Sequence, residues 1–80
     1  MAQQPHEFNI IVNTRPKKVA GPTVSFEQIL ELAGIDPNTV DLSLYDVDWT
    51  HGNKAGELNP GQSVPVENGM KFDAGKSNRS

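Results

Sequence analysis

The chain has 80 residues, of which 35% are hydrophobic and 21% are charged, so it holds one small domain at most. Only about 60% of the surface of so short a chain can be buried, and a large enclosed active site would cost apolar contacts that the fold needs. The chain has no cysteine, which excludes disulfides, a thiolate nucleophile and a cysteine-ligated zinc site. We therefore expect a domain that is not an enzyme and has no cofactor of its own.

The charge is slightly acidic, with seven Lys and Arg against ten Asp and Glu and a net charge of −3. The basic residues are scattered, which disfavours nucleic-acid binding, because phosphate contacts need clustered cations. No apolar stretch has the length of a membrane span, and the first residues lack the basic and apolar regions of a signal peptide. We expect a cytoplasmic protein with no nucleic-acid or membrane partner.

The first predicted elements form a β-hairpin, after a polar and flexible segment at residues 1–6. A strand is predicted over residues 7–13, in which Ile11 breaks the alternation and lies on the outer face. Turn residues at 13–16 lead to a weaker second strand over residues 17–23. The inward side chains of the two strands are those of Phe8, Ile10, Val12 and Val19.

The helix that follows has signals at both ends. Ser25 is a favourable N-cap, and Gln28 three residues later completes a capping box. Gly34 provides the left-handed stop that ends many helices. One apolar face at helical spacing is formed by Phe26, Ile29, Leu30 and Ala33.

The second half of the chain predicts three further strands, over residues 40–47, 62–66 and 70–72. In the first of these, Leu42 and Leu44 face the core and Tyr45 lies on the opposite face. Residues 48–57 are predicted to form a polar loop. The folded domain is predicted to span residues 7–73 and to end in a flexible tail at residues 74–80.

Two short motifs suggest other chemistry, and neither is adopted. The sequence Gly75-Lys76-Ser77 is similar to the end of a phosphate-binding loop, but Gly69 lies one residue too far upstream and no helix can follow. Asp46, Asp48 and His51 carry atoms that could bind a metal ion, but a polar loop usually has such residues for solubility. No metal site is predicted.

Several segments resemble the bacterial multiubiquitin-type family of ubiquitin-like proteins over about residues 7–75. The matching segments are residues 8–13, 25–34, 58–64 and 67–72. The order of elements agrees with the α+β fold called the β-grasp, in which one amphipathic helix packs across a mixed sheet of four to five strands. The first and last strands would lie parallel and adjacent in its centre.

The resemblance implies a protein modifier, monomeric before conjugation, of a bacterial ubiquitination-like pathway. In such systems an activating enzyme uses ATP to adenylate a C-terminal glycine, and a conjugating enzyme transfers the acyl group to target proteins as an isopeptide bond. Gly75, preceded by Ala74, is the candidate glycine, so a processing protease would first have to cut before Lys76. Removing residues 76–80 takes away Lys76 and Arg79 and changes the net charge from −3 to −5. Antiviral defence is associated with such relatives.

Two other functions remain open. A sulfur carrier would use the same Gly75 carboxylate as a thiocarboxylate, and a non-covalent interaction module would keep residues 76–80. An outward patch of Ile11, Tyr45 and Val47 is a candidate docking surface for partner enzymes, and Trp49 either anchors its loop or joins this surface. The candidate acceptors for chain formation are Lys17, Lys18, Lys54 and Lys71.

Overall fold

The computed structural model describes residues 7–77. The predicted flexible segment at residues 1–6 and the last three residues of the predicted tail lie outside this range. The elements in chain order are β1 (Phe8–Val12), β2 (Arg15–Val19), β3 (Thr23–Ser25), α1 (Phe26–Leu32), a 3₁₀ turn (Leu42–Leu44), β4 (Tyr45–His51), β5 (Lys54–Leu58), β6 (Ser63–Pro65) and β7 (Lys71–Lys76).

The main sheet has five strands in the order β2-β1-β7-β4-β5, and β3 pairs with β6 in a separate two-stranded sheet. The chain's first and last strands lie side by side and parallel, with Ile11 opposite Lys71 and Val12 opposite Phe72. The other pairs of the main sheet are antiparallel. With α1 packed across one face, this arrangement is a ubiquitin-like β-grasp, as predicted.

The core lies between α1 and the inner face of the main sheet, which we define as the face that contacts the helix. The predicted apolar face of α1 is confirmed, because Phe26, Ile29 and Leu30 are fully buried. The buried residues on the strands of the main sheet are Ile10, Val12, Val47, Leu58 and Phe72. Among residues 7–77, no helix has the length and apolar character needed to cross a membrane.

Both predicted helix ends are confirmed. The Ser25 hydroxyl accepts a hydrogen bond from the backbone N–H of Gln28 at 3.1 Å. The Gln28 side-chain oxygen accepts one from the backbone N–H of Ser25 at 2.9 Å, which completes the capping box. Gly34 has a φ of +86°, the left-handed conformation expected after the last turn.

We expect Ser25→Ala to lower the free energy of unfolding by about 1 kcal/mol, because an N–H of the first turn loses its acceptor. Urea denaturation followed by circular dichroism measures this loss. Ser63→Ala is the matched control, since Ser63 is exposed and lies opposite Ser25 in the two-stranded sheet. An equal loss in both variants would assign the effect to strand pairing and contradict the cap.

The second strand differs from the prediction at both ends. Asn13 and Thr14 form a two-residue turn with φ values of 51° and 70°, so β2 begins at Arg15. The chain then bends at Gly21, where φ is 63°. As a result, residues 23–25 pair with β6 and do not extend β2.

The strand predicted over residues 40–47 begins later in the structure. Leu42–Leu44 forms a 3₁₀ turn because the Asp41 carboxylate caps it, accepting the Ser43 N–H at 3.0 Å and the Ser43 hydroxyl at 2.6 Å. The prediction that Leu44 is a core residue is therefore wrong, since its side chain is 53% exposed. Alternation starts at Tyr45, one residue out of phase with the predicted strand.

The predicted polar loop at residues 48–57 is a β-hairpin. β4 continues to His51, a two-residue turn follows at Gly52 and Asn53, and β5 begins at Lys54. The polar residues of this hairpin do not disrupt the strands, because they alternate onto the outer face of the sheet. They are Asp46, Asp48, Thr50 and Glu57.

Candidate functional site

The candidate site is the C-terminal half of β7, which contains Gly75. This segment pairs with β4, with Asp73 opposite Asp48, Gly75 opposite Asp46 and Lys76 opposite Tyr45. The prediction that the chain is loose from Ala74 onwards is therefore wrong for residues 74–76. These residues have extended backbone in register with β4, although the segment carries few apolar side chains.

The side chains of β7 show where core packing ends. Phe72 is 1% exposed and is the last fully buried residue of the strand. Beyond it, Ala74 is half-buried, Asp73 and Lys76 are exposed, and Gly75 has no side chain to pack. From Asp73 onwards, backbone hydrogen bonds contribute more to holding the strand than apolar burial does.

Asn13 forms hydrogen bonds to this segment along the edge of β7 that faces away from β4, at a point where β1 has already ended. The backbone N–H groups of Ile11 and Asn13 donate to the carbonyls of Met70 and Phe72, each at 2.9 Å. The Asn13 side chain then takes the place of the next strand residue. Its Nδ2 donates to the Ala74 carbonyl at 3.0 Å, and its Oδ1 accepts the Ala74 N–H at 2.8 Å.

Sequence reasoning placed Asn13 at the end of the first strand and in the turn that follows, and gave it no contact with the last strand. The turn role is confirmed by its positive φ, but the contact with Ala74 spans 61 positions of the chain. No local pattern indicates such a contact. One indication of the contact becomes available once the topology is known. Asn13 follows the end of β1, the parallel strand β7 continues beyond that point, and an Asn side chain carries both a donor and an acceptor.

The last described residue is tied to the 3₁₀ turn. The Ser77 N–H donates to the Leu44 carbonyl at 2.7 Å, so the ladder along β4 extends beyond Lys76. Ser43 in turn shapes this region through its bonds to Asp41. The Ser43 hydroxyl, and next the Ser43 N–H, hold the pKa of the Asp41 carboxyl below its ordinary value of 3.8.

We expect the Asp41 carboxyl to titrate below its ordinary value in the folded protein, and Ser43→Ala to raise its pKa. Because the folded pKa is the lower one, the capped turn is stabilised above the unfolded pKa and loses this contribution as the pH falls through the folded pKa. Carboxyl chemical shifts measured by NMR between neutral and acidic pH follow this titration. A pKa of Asp41 that is unchanged in Ser43→Ala would contradict the assignment.

The chain has seven glycines, and the structure explains why glycine is needed at some of these positions but not at others. Five have a positive φ, which favours glycine: Gly21, Gly34, Gly52, Gly61 and Gly69. At Gly56, an added Cβ would lie 2.7 Å from Cζ2 of Trp49, whose ring covers this position. At Gly75, φ is not in the left-handed region, and an added Cβ would meet no heavy atom of residues 7–77 within 4 Å. The fold has no steric need for glycine at position 75.

Most residues of the predicted docking surface lie on the inner face of the main sheet, although the outer face was predicted. Tyr45, Val47 and Trp49 alternate onto the inner face and pack against the core, and Val47 is only 1% exposed. The one-residue shift at the start of β4 reverses the side of Tyr45 and Val47. For Trp49, the packing against the core agrees with the alternative that it is a hydrophobic anchor. Ile11 alone has the predicted position, half-buried on the outer face opposite Lys71.

The candidate acceptor lysines all lie on strands. Lys18, Lys54 and Lys71 are exposed, and Lys17 is half-buried on β2. Their role as acceptors stays a prediction. Within the described part of the chain, no three acidic or histidine side chains are grouped so as to hold a metal ion. His51 faces Glu67, with 3.6 Å between Nδ1 and Oε2.

Comparison with protein families matches Multiubiquitin over residues 8–77. The match covers every strand and the helix, and it includes Gly75. No curated protein and no solved structure matches the chain. By this match and by its β-grasp architecture, the chain belongs to the Multiubiquitin family and is a ubiquitin-like protein.

Proposed function

We propose that this ubiquitin-like protein is a modifier that is attached to other proteins through the Gly75 carboxylate. A protease hydrolyses the bond between Gly75 and Lys76. An activating enzyme then joins the carboxylate to AMP, releasing pyrophosphate from ATP, and an enzyme thiol displaces AMP. A target amine displaces the thiol to form an isopeptide bond. The protein is a substrate in each step and contributes no catalytic group or cofactor.

The observation that carries this proposal is the glycine at position 75. Glycine inside a strand costs about 0.5–1 kcal/mol relative to a residue with a side chain. No backbone angle or close neighbour compensates for this cost at Gly75. Acyl transfer does need a residue with no Cβ, because a narrow active-site channel must admit the chain end and the nucleophile must approach its carbonyl carbon.

The chemistry also requires the segment to leave the sheet, since Gly75 lies opposite Asp46 in the intact chain. Cleavage after Gly75 removes Lys76 and Ser77, and with them the pairing to Tyr45 and the bond to the Leu44 carbonyl. The remaining three residues after Phe72 extend about 10 Å when pulled free. Because these residues bury little apolar surface, their release leaves the core in place.

A second function, non-covalent binding by the intact domain, is favoured by a different observation. β7 continues through Gly75 to Lys76, and the next N–H is also bonded. A domain that is never trimmed would keep this complete strand. In that case, partners would recognise the folded surface, and Gly75 would have no chemical role.

Mass spectrometry of the protein from its own host separates these functions. We expect an intact mass that ends at Gly75, and target peptides whose lysines carry Phe72–Gly75, because trypsin cuts after Lys71. In Lys71→Gln, the remnant should extend back to Ala55, since Lys54 becomes the preceding cleavage site. A trimmed end that contains sulfur in place of oxygen would indicate a sulfur carrier. Recovery only as the chain ending at Ser80 would support the non-covalent module.

A further inference from the structure

We propose that the Asn13 side chain is the latch that sets how often the C-terminal half of β7 leaves the sheet, and so controls the access of enzymes to Gly75. The inference rests on the proposed function for its consequence, but the latch itself is a property of the folded chain. Asn13 is a positioning residue, since its amide contacts Ala74 and not the reacting carboxylate.

The position of Asn13 at the end of β1 gives its amide this role. β1 pairs with β7 only as far as Val12 and Phe72. Beyond that point, no strand within residues 7–77 lies beside the edge of β7 that faces away from β4. The Asn13 amide supplies both a donor and an acceptor to Ala74, as a backbone residue would. Both bonds are partly buried, which limits competition from water.

The turn aims this side chain at β7. The φ of Asn13 is +51°, in the left-handed region that Asn tolerates better than most other residues with side chains. A glycine keeps this backbone and removes the amide, so Asn13→Gly isolates the contribution of the side chain. Thr14 has a φ of +70° in the same turn, and its hydroxyl bonds the Asn13 carbonyl and not β7. Thr14→Gly is therefore a matched control for the turn.

Exchange rates of the backbone amides along β4, on the edge of β7 opposite Asn13, distinguish a latch from a local contact. The Ala74 N–H must exchange faster in Asn13→Gly, because its own acceptor is gone. If the side chain holds the whole segment, the amides of Gly75 and Ser77 should also exchange faster, although they lie along β4. The loss of two hydrogen bonds corresponds to an acceleration of about tenfold to a hundredfold.

The experiment is hydrogen exchange by NMR on the full chain, comparing wild type, Asn13→Gly and Thr14→Gly. We expect faster exchange at Gly75 and Ser77 in Asn13→Gly only, with the amides of Ile29 and Leu30 still protected. Acceleration confined to Ala74, or the same acceleration in Thr14→Gly, would overturn the latch. If Asn13→Gly lowers protection across the core, Asn13→Asp replaces it, because the carboxylate keeps the acceptor for the Ala74 N–H and removes the Nδ2 donor to the Ala74 carbonyl. Faster exchange at Gly75 and Ser77 in Asn13→Asp supports the latch, and unchanged exchange at these amides contradicts it.

A second measurement distinguishes failure of the latch from failure of the proposed function. This measurement is the amount of conjugate that wild type and Asn13→Gly form in the host. Faster exchange in Asn13→Gly together with more conjugates than wild type supports both the latch and the modifier function. Faster exchange with no conjugates from either wild type or Asn13→Gly leaves the latch intact and removes the modifier function. Unchanged exchange removes the latch, whatever the conjugation result.

Discussion

Phe72→Ala is expected to lower the free energy of unfolding by about 3–5 kcal/mol, the largest effect on stability that we predict. Phe72 is 1% exposed and lies on β7, the central strand of the main sheet, between β1 and β4. Its neighbours across the two strands are Val12 and Trp49, so the cavity left by the ring cannot collapse easily. Small domains have a total stability of about 5–15 kcal/mol, and the variant would therefore be only marginally folded.

Urea denaturation monitored by Trp49 fluorescence and circular dichroism measures this loss. Asp73→Ala is the matched control, because Asp73 is the next residue of the strand and is exposed on the outer face. The control should change stability by less than about 0.5 kcal/mol. A loss in Phe72→Ala no greater than that in Asp73→Ala would show that β7 does not form the centre of the core.

The sequence predicts the parts of the fold in which local signals agree. The helix has a cap, an apolar face and a terminal glycine, and all three occur in the structure. The first strand is predicted correctly for a similar reason, since Phe8, Ile10 and Val12 recur at every second position, although Ile11 interrupts the polar side of the pattern. In both elements, periodicity and boundary residues indicate the same answer, so tertiary contacts have little to override.

The hairpin of β4 and β5 is missed although its signal is present. His51 and Lys54 are separated by Gly52 and Asn53, a dipeptide typical of two-residue hairpin turns. The charged residues of the outer face obscure the alternation of Val47 and Trp49 when the segment is judged by polarity alone. The error at Leu44 has another cause, because the side-chain cap of Asp41 competes with extended structure.

The start of the C-terminal strand is predicted from the sequence, but its continuation beyond Phe72 could not be predicted from local sequence. Asp73, Ala74 and Gly75 have low strand propensity, and their order in the structure comes from β4 on one side and Asn13 on the other. The same weak propensity is consistent with the proposed function. A segment held by its neighbours can leave them at modest cost, whereas one that buried large side chains could not.

Gly75→Val is expected to raise the free energy of unfolding by about 0.5–1 kcal/mol and to abolish conjugation in the host. A β-branched residue suits extended backbone, and an added Cβ at this position meets no heavy atom of the described part of the chain within 4 Å. The same branched carbon would stand beside the reacting carbonyl and hinder both the active-site channel and nucleophilic attack. Stability and function therefore change in opposite directions at one residue.

Gly56→Val provides the structural control, because the new Cβ would lie 2.7 Å from the Trp49 ring and should destabilise the fold. Urea denaturation gives the stability of each variant, and anti-tag blots of host lysates give the conjugates. Loss of conjugation in the stabilised Gly75→Val cannot be assigned to misfolding, whereas Gly56→Val shows what misfolding alone produces. If Gly75→Val formed conjugates as readily as wild type, the acyl group would have to come from another residue, and Gly75 would be an ordinary strand position.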